Sequence, residues 1–140
     1  MPQAEARPTT AAIAAADSLR RRGVEVSIDD FGSGFSSLGQ LVTIPAGVLK
    51  IDRSLVAFPE GRRSQTAATI AAIVALGQAC GIRSLAEGVE TAEQLELAAE
   101  LGCSFAQGFH IARPMPAAEV PPWMAAHRAA TKEPIAVVPA

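Results

Sequence analysis

Apolar positions along the chain repeat with two different periods. Between Ile70 and Gly77 they recur at i, i+3, i+4 and i+7, which predicts one helix over residues 64–80 with a single buried stripe. Over residues 24–29 they alternate with polar positions, which is the pattern of a β-strand. Segments of these two kinds follow each other along most of the chain.

Glycines, prolines and capping residues set the limits of the other elements. Thr10 can cap a first helix, and Gly23 fits the left-handed position that ends it, whereas Thr91 with Gln94 forms a capping box for a later helix. The further predicted elements are strands at residues 48–52, 83–87 and 104–107 and helices at residues 10–22, from about Ser36, between Thr91 and Gly102, and at residues 117–129.

The resulting order, αβαβαβαβα, predicts an α/β fold in which parallel strands are joined by right-handed crossovers. Four βα units are half of an eight-stranded barrel, which takes about 250 residues, so a partial (β/α)8 TIM barrel is one fold that the pattern permits. The pattern alone also permits a small doubly wound sheet. Residues 11–129 are expected to form the domain, with a disordered lead at 1–10 and a disordered tail at 130–140.

Composition and charge narrow the functional class. The 140 residues are 49% hydrophobic and 4% aromatic, which suits one helix-rich or α/β domain or part of one. A net charge of −2 without a basic block argues against a nucleic-acid polymer as partner. The chain shows no signal peptide and no apolar stretch long enough for a bilayer, so we expect a cytoplasmic protein without membrane contact. Cys80 and Cys103 lack metal-site spacing and are interpreted as reduced core thiols.

Polar side chains lie at the carboxyl ends of the predicted strands, the edge of a parallel barrel where active sites are found. Asp29 and Asp30 end the first strand and precede a Phe-Gly-Ser-Gly segment. The glycines permit a turn that would bring both carboxylates to the same ions, and such hard oxygen ligands suit Mg²⁺ or Mn²⁺. A solvated turn with an aspartate cap is the alternative that the spacing leaves open.

The next three strands each deliver one polar candidate. Lys50 lies between two apolar residues, so it must either extend to water or pair with a carboxylate, such as Asp52 on the same face. Glu87 could be a metal ligand, a general base or a residue that leads into the next helix. Gln107 is a weaker candidate, and His110 in the following turn is interpreted as incidental.

Four segments share their order and approximate spacing with one known family. They are Asp29-Asp30-Phe31-Gly32-Ser33-Gly34-Phe35-Ser36-Ser37-Leu38, Leu49-Lys50-Ile51-Asp52-Arg53, Ala86-Glu87-Gly88-Val89-Glu90-Thr91, and Gln107-Gly108-Phe109 with Arg113-Pro114-Met115-Pro116. They resemble the signature motifs of EAL domains, and the resemblance runs over residues 11–120.

The resemblance implies a (β/α)8 barrel that hydrolyses one phosphodiester bond of cyclic di-GMP to give linear pGpG, using two Mg²⁺ or Mn²⁺ ions. By motif, Asp29 and Asp30 would be metal ligands. Lys50 would contact the attacking water or the scissile phosphate. Glu87 would bind metal or accept the proton of that water, and Gln107 would help to hold the cluster. In such chemistry the ions lower the pKa of water and clamp the attacking and leaving oxygens.

The chain also departs from the family pattern. The Glu-Ala-Leu tripeptide, the asparagine of a following strand and a Glu-x-x-Glu motif are absent, and these supply most ligands of one metal. Ser33, Phe35 and Gly47 replace the usual threonine, tyrosine and acidic residue. We therefore expect the C-terminal half of an EAL domain, truncated and inactive alone, that associates as a homodimer or with a complementary half-domain. A non-catalytic interaction module or a nonfunctional remnant is the alternative.

Overall fold

The computed structural model describes residues 8–33, 38–57, 62–130 and 135–139. Its elements, in chain order, are α1 Thr10–Arg21, β1 Ser27–Phe31, α2 Leu38–Thr43, β2 Val48–Ile51, α3 Arg53–Val56, α4 Arg63–Ala79, β3 Arg83–Ala86, α5 Ala92–Glu100, β4 Phe105–Gln107, a 3₁₀ turn Ala117–Glu119, α6 Val120–Ala130 and β5 Ala136–Val138. The helix start predicted near Ser36 falls outside the described residues. Within those ranges, no helix combines the length and the apolar character needed to cross a bilayer.

The strands form one parallel sheet whose order follows the chain, β1-β2-β3-β4-β5. The central pair, β2 with β3, is regular from Val48 opposite Arg83 to Ile51 opposite Ala86. The pairing of β1 with β2 shifts register between Ile28 and Phe31. Parallel strands joined through helices confirm the predicted α/β class.

The hydrophobic core lies between one face of the sheet and the helices. Leu49 and Ile51 of β2 are fully buried there. The stripe predicted on the long helix is confirmed, since the buried residues of α4 are Thr66, Ile70, Ile73, Val74 and Gly77. Alternate strand residues point to the opposite face, which borders a cavity of about 350 Å³ and carries Ser27, Val48, Lys50, Leu85, Phe105 and Val138.

Local capping explains where two of the helices begin. The capping box of Thr91 and Gln94 is present at the start of α5. At α1 the cap is Thr9, whose side chain accepts a hydrogen bond from the backbone N–H of Ala12, and not Thr10 as expected. A threonine one residue earlier can reach the same unpaired N–H groups of the first turn.

The first strand begins later than the alternation predicted, at Ser27 instead of Val24. Val24 is 48% exposed, and its backbone N–H donates to the carbonyl of Leu19 at 3.0 Å. Together with Gly23 at φ +80°, this hydrogen bond makes Val24 part of the structure that ends α1. The apolar alternation therefore included Val24, which belongs to the end of α1 and not to the strand.

The expectation of a disordered tail is wrong for residues 136–138, which form β5. Phe105, Ala106 and Gln107 of β4 pair with Ala136, Val137 and Val138. Ile135 is buried in the core, and this apolar contact together with the pairing holds the strand in place. Residues 131–134 and 140 fall outside the described residues, as do residues 1–7 of the expected lead.

One single-residue expectation also changes. Cys103 is buried, whereas Cys80 is exposed and is not a core thiol.

Gly47 leaves room for Glu25, because a Cβ at position 47 would lie 2.6 Å from the Glu25 Oε1. Glu25 instead pairs with Arg83. The missing side chain at position 47 therefore leaves room for the Glu25 carboxylate, which belongs to the segment just before β1.

Candidate functional site

A group of charged side chains lies at the carboxyl ends of β1, β2 and β3. The Lys50 Nζ is 2.9 Å from the Asp29 Oδ1 and 2.5 Å from the Glu87 Oε1. The side chains of Lys50 and Glu87 are 23% and 21% exposed, whereas that of Asp29 is 62% exposed. We call Asp29, Asp30, Lys50 and Glu87 the rim cluster.

The position of Lys50 follows from strand geometry. Its neighbours Leu49 and Ile51 point into the core, so the alternation of β2 places Lys50 on the opposite face. Glu87 follows β3 directly, and its backbone N–H donates to the carbonyl of Ile51 at 3.1 Å. That hydrogen bond extends the pairing of β2 with β3 by one residue and brings the carboxylate beside Lys50.

Asp30 adopts a left-handed backbone conformation, φ 52°, where the register between β1 and β2 shifts. Its carbonyl accepts hydrogen bonds from the Ser33 N–H at 3.3 Å and the Ser33 hydroxyl at 2.8 Å. The Asp30 N–H itself donates to the Asp29 Oδ1 at 3.2 Å. The turn therefore begins at Asp30. The sequence analysis attributed the turn to the glycines that follow, but it does not depend on those glycines alone.

This turn gathers the carboxylates. Asp29, Asp30 and Glu87 each offer an oxygen, and these oxygens lie within 4.8 Å of one another. Aspartate tolerates the left-handed region better than most residues, but at a cost in backbone energy. A strained aspartate next to two other carboxylates is the kind of outlier that occurs at functional sites.

The ion pairs change the proton affinities of Asp29 and Lys50. The hydrogen bond from Lys50 lowers the pKa of Asp29 below its ordinary value of 3.8, although partial burial opposes it. Burial by itself lowers the pKa of Lys50, but the hydrogen bonds to Glu87 and Asp29 outweigh it and raise that pKa above 10.5. Lys50 is therefore a cation, and Asp29 an anion, throughout the neutral range.

The rim cluster suits a divalent metal ion. Carboxylate oxygens are the hard ligands that Mg²⁺ and Mn²⁺ prefer. Asp29, Asp30 and Glu87 bring three carboxylates together, and Lys50 supplies one positive charge. The excess of negative charge and the spacing of the oxygens both favour a bound cation.

The sequence analysis offered Asp52 as a possible partner of Lys50, but the two side chains do not pair. Its Oδ1 accepts a hydrogen bond from the Ser54 N–H at 2.8 Å and caps α3. The hydrogen bonds with Ser54 lower the pKa of Asp52. The carboxylate thereby satisfies an N–H of the first helical turn, which has no partner within the helix.

Gln107 and Glu87 border the same small cavity of about 160 Å³, so Gln107 lies next to the rim cluster. Its Nε2 donates to the carbonyl of Pro139 at 3.1 Å. Its role as support of the site remains a prediction. His110 is exposed, and its backbone N–H donates to the carbonyl of Val89.

Residues to which the sequence gave no role border this cavity as well. They are Arg53, Gly88, Glu90, Gly108 and Phe109. Gly88 is at φ +69°, and a Cβ there would overlap the Cβ of Arg53. The two glycines that follow Glu87 and Gln107 were the available signal, since glycine marks close approach of the backbone to neighbouring groups.

Comparison with known proteins agrees with this geometry. The sequence model of the EAL domain family matches residues 1–114 of this chain. The bifunctional diguanylate cyclase/cyclic di-GMP phosphodiesterase MucR of Pseudomonas aeruginosa is 45% identical over 114 residues, 81% of this chain and 16% of that protein. The cyclic di-GMP phosphodiesterase RocR of the same organism is 46% identical over 98 residues, 70% of this chain and 25% of that protein. The chain thus spans a quarter or less of these relatives.

Solved structures give the same relationship. The PaMucR phosphodiesterase in complex with c-di-GMP matches with a TM-score of 0.71 and 44% identity, over 82% of this chain and 46% of that one. Klebsiella pneumoniae BlrP1 with manganese and cy-diGMP matches with a TM-score of 0.59 and 32% identity, over 70% of this chain and 25% of that one. Divalent metals with cyclic di-GMP therefore occur in related structures. The 140-residue chain belongs to the EAL domain family and has the fold of part of its TIM barrel.

Proposed function

We propose that the rim cluster is part of a site that hydrolyses one phosphodiester bond of cyclic di-GMP to give linear pGpG. The observation that carries the proposal is the bridge that Lys50 makes between Asp29 and Glu87. It joins the ends of three neighbouring strands at the edge where parallel α/β folds bind ligands. The cyclic di-GMP phosphodiesterases MucR and RocR, to which the chain is similar, support the choice of substrate.

The side chains of the rim cluster have chemistry suited to this reaction. Lys50 stays protonated and has three N–H donors, so it can donate to a phosphoryl oxygen or orient the attacking water. Glu87 is half-buried beside Lys50 and can accept the proton of that water. Gln107 would support the cluster from the neighbouring strand.

Asp29, Asp30 and Glu87 would hold Mg²⁺ or Mn²⁺ in this proposal. When bound, the ions would lower the pKa of water and stabilise negative charge on the reacting oxygens. Lys50 would keep Asp29 and Glu87 oriented while it balances part of their charge. Lys50 would therefore orient the carboxylates both without and with bound metal.

We further propose that the 140-residue chain does not turn over cyclic di-GMP by itself. Mg²⁺ keeps several waters and needs only one or two carboxylates, but by the family resemblance the motifs absent from this sequence supply most ligands of one of the two ions. The chain also corresponds to 46% of the PaMucR phosphodiesterase chain. A complementary half-domain, in the same polypeptide or in another, would supply the other ligands.

Association is the second consequence of this proposal. The strand face that borders the 350 Å³ cavity is open to solvent at Phe105 and Val138, which stay partly exposed, and β1 and β5 are the edges of the sheet. Edges and open faces favour pairing with another chain. A homodimer would repeat the same ligands, so we expect it to remain inactive. The open face also favours the alternative, a non-catalytic EAL-derived interaction module.

Metal binding and turnover can be measured separately on the purified 140-residue chain. We expect Mn²⁺ binding that Glu87→Ala weakens by about tenfold or more, since a carboxylate ligand is lost. We expect no pGpG from cyclic di-GMP with Mn²⁺ unless the complementary half is added. Equal Mn²⁺ affinity of both proteins would refute the metal site, and turnover abolished by Glu87→Ala would refute the claim that the chain is inactive alone.

Light scattering tests the proposed association. We expect dimers or larger species at tens of micromolar, on the order of the concentrations at which exposed edges and apolar faces associate. A stable, monodisperse monomer would contradict this part of the proposal and leave the metal site unaffected.

A further inference from the structure

A cavity of about 270 Å³ lies between α6 and β5 and shares no residue with the rim cluster. Its walls include Trp123, Met124, His127 and Arg128 of α6 and, from the chain at β5, Ile135 and Val137. All of these residues follow residue 114, where the match to the EAL domain family ends. The cavity therefore belongs to a segment that the proposed function does not use.

The α6 wall of this cavity is a helix face that stays partly exposed. Four residues of α6 recur at i, i+3, i+4 and i+7, the spacing of one face of a helix: Val120, Trp123, Met124 and His127. All eleven residues of α6 are described, and none of them is buried. Protein interiors are normally close-packed, so the cavity marks a place where the packing of α6 on the domain is incomplete.

Both walls of the cavity offer apolar surface. Ile135 and Val137 are two residues apart and point to the same face of the strand, where Ile135 is part of the core and Val137 packs against it. On the α6 side, the rings of Trp123 and His127 stack with their centroids 4.8 Å apart and 21° between their planes. These rings give the wall a flat surface, and the flexible side chain of Met124 can adapt to a molecule that lies against it.

Arg128 adds a positive charge at the border of the cavity. Its side chain is exposed, and it takes part in none of the ion pairs found between described residues. A guanidinium group matches a carboxylate because it offers two parallel N–H donors. A mostly apolar cavity with one cation beside it suits a ligand that has an apolar body and one negative group.

We propose that the cavity between α6 and β5 binds a small aromatic carboxylate. Its ring would lie between Trp123 and Ile135, and its carboxylate would pair with Arg128. A cavity of roughly 150 Å³ holds a benzene molecule, so about 270 Å³ accommodates a ring with a short acidic group. The ligand would supply the contacts that α6 lacks. This site does not depend on the proposed function, because none of its residues belongs to the rim cluster.

Fluorescence of the 140-residue chain tests the proposal, because Trp123 is the only tryptophan in the sequence. The probes are phenylacetate and phenylacetamide, which have nearly the same shape and differ in charge. We expect phenylacetate to change the emission of Trp123 with a Kd on the order of 1 mM, as is typical of a ligand with about ten non-hydrogen atoms. Phenylacetamide should bind about two- to fivefold more weakly, the range that an exposed ion pair gives.

Two arginine variants locate the carboxylate. Arg128→Met should weaken the binding of phenylacetate to the level of phenylacetamide and leave the binding of phenylacetamide unchanged. Arg22→Met, which removes another exposed arginine far along the chain from the cavity, should leave the binding of both probes unchanged. The proposal is overturned if 20-fold more phenylacetate than the expected Kd leaves the emission unchanged, if the two probes bind equally well, or if Arg128→Met binds phenylacetate as the unchanged chain does.

Discussion

At the scale of single residues, Lys50 connects the local sequence to the candidate site. Its place between Leu49 and Ile51 directs it away from the core, and its two carboxylate partners come from the ends of neighbouring strands. Without the lysine, Asp29 and Glu87 would face each other as like charges. The side chain is thus as important for the stability of the rim as for the proposed chemistry.

We predict that Lys50→Met lowers the free energy of unfolding by about 1–3 kcal/mol at neutral pH, because it leaves half-buried Glu87 without its charged partner. Urea denaturation measures this change. The matched control is Arg63→Met, which removes the exposed pair of Arg63 with Glu93 and should cost less than about 1 kcal/mol. Equal effects of the two substitutions would contradict the prediction.

The difference between Lys50→Met and the unchanged chain should depend on pH. The pKa of Asp29 is lowered below 3.8, so its contribution is present above that value and is lost as the pH falls through the folded-state pKa. The pKa of Lys50 is raised above 10.5, so its contribution is present below that value and is lost as the pH rises further. The difference should therefore be nearly constant between these limits, and a steep change near neutral pH would count against this ion pair.

The two thiols should differ in reactivity. Burial raises the pKa of Cys103 to about 11, so about one thousandth of it is thiolate at pH 8. Cys80 is exposed. We predict that a thiol-specific reagent labels one cysteine rapidly in the folded chain and the second only after denaturation. Cys80→Ser should remove the rapid phase, and if Cys103→Ser removes it instead, the burial of Cys103 is wrong.

At the scale of elements, the turn after β4 is held by a glycine that no other residue can replace. A Cβ at Gly108 would overlap the backbone of Val89, which cannot move without breaking its two hydrogen bonds to the turn. We predict that Gly108→Ala lowers the free energy of unfolding by about 3 kcal/mol or more, as measured by denaturation.

Gly23→Ala is the matched control. Gly23 is at φ +80° with no atom within 4 Å of a Cβ built there, so the cost is limited to that of the left-handed backbone, about 1–2 kcal/mol. If Gly108→Ala proves no more destabilising than Gly23→Ala, the close docking of the turn on Val89 is disproved.

Much of this architecture could be predicted from the sequence because its signals are local. The stripe of α4 and the capping box of α5 depend on residues within one or two helical turns, and both are confirmed. The rim positions of Asp29, Lys50 and Glu87 followed from the rule that parallel strands end at one edge.

The features that could not be predicted depend on distant partners or on very short segments. β5 is held by its pairing with β4 and by the burial of Ile135, and neither contact leaves a periodic pattern in a proline-containing tail. The helix α3 has four residues, too few for a helical period. The left-handed Asp30 has no composition signal at all, since aspartate occurs in turns of every kind.

At the scale of the whole molecule, β5 protects the edge of the sheet that β4 would otherwise expose. We predict that ending the chain after Ala130 lowers the free energy of unfolding by at least about 2 kcal/mol, because it uncovers the core beneath Ile135 and leaves one edge of β4 unpaired. Denaturation of the shortened chain measures the loss.

Two substitutions separate the causes of that loss. Ile135→Ala should account for much of it by removing buried apolar surface. Ala136→Ser changes an exposed position of the same strand and should stay within about 0.5 kcal/mol. A shortened chain as stable as the full one would show that β5 contributes nothing to the fold.

The order of the strands has a consequence for the folding route. Each strand pairs with the strand that precedes or follows it along the chain, so the search for partners never has to bridge the two ends of the sheet. Fold topologies with short loops between partners reach their transition states faster than those that must first close long ones. The register of β2 with β3 is regular and buried, which suits it as a nucleus. From there the sheet can grow outward in both directions, one crossover at a time.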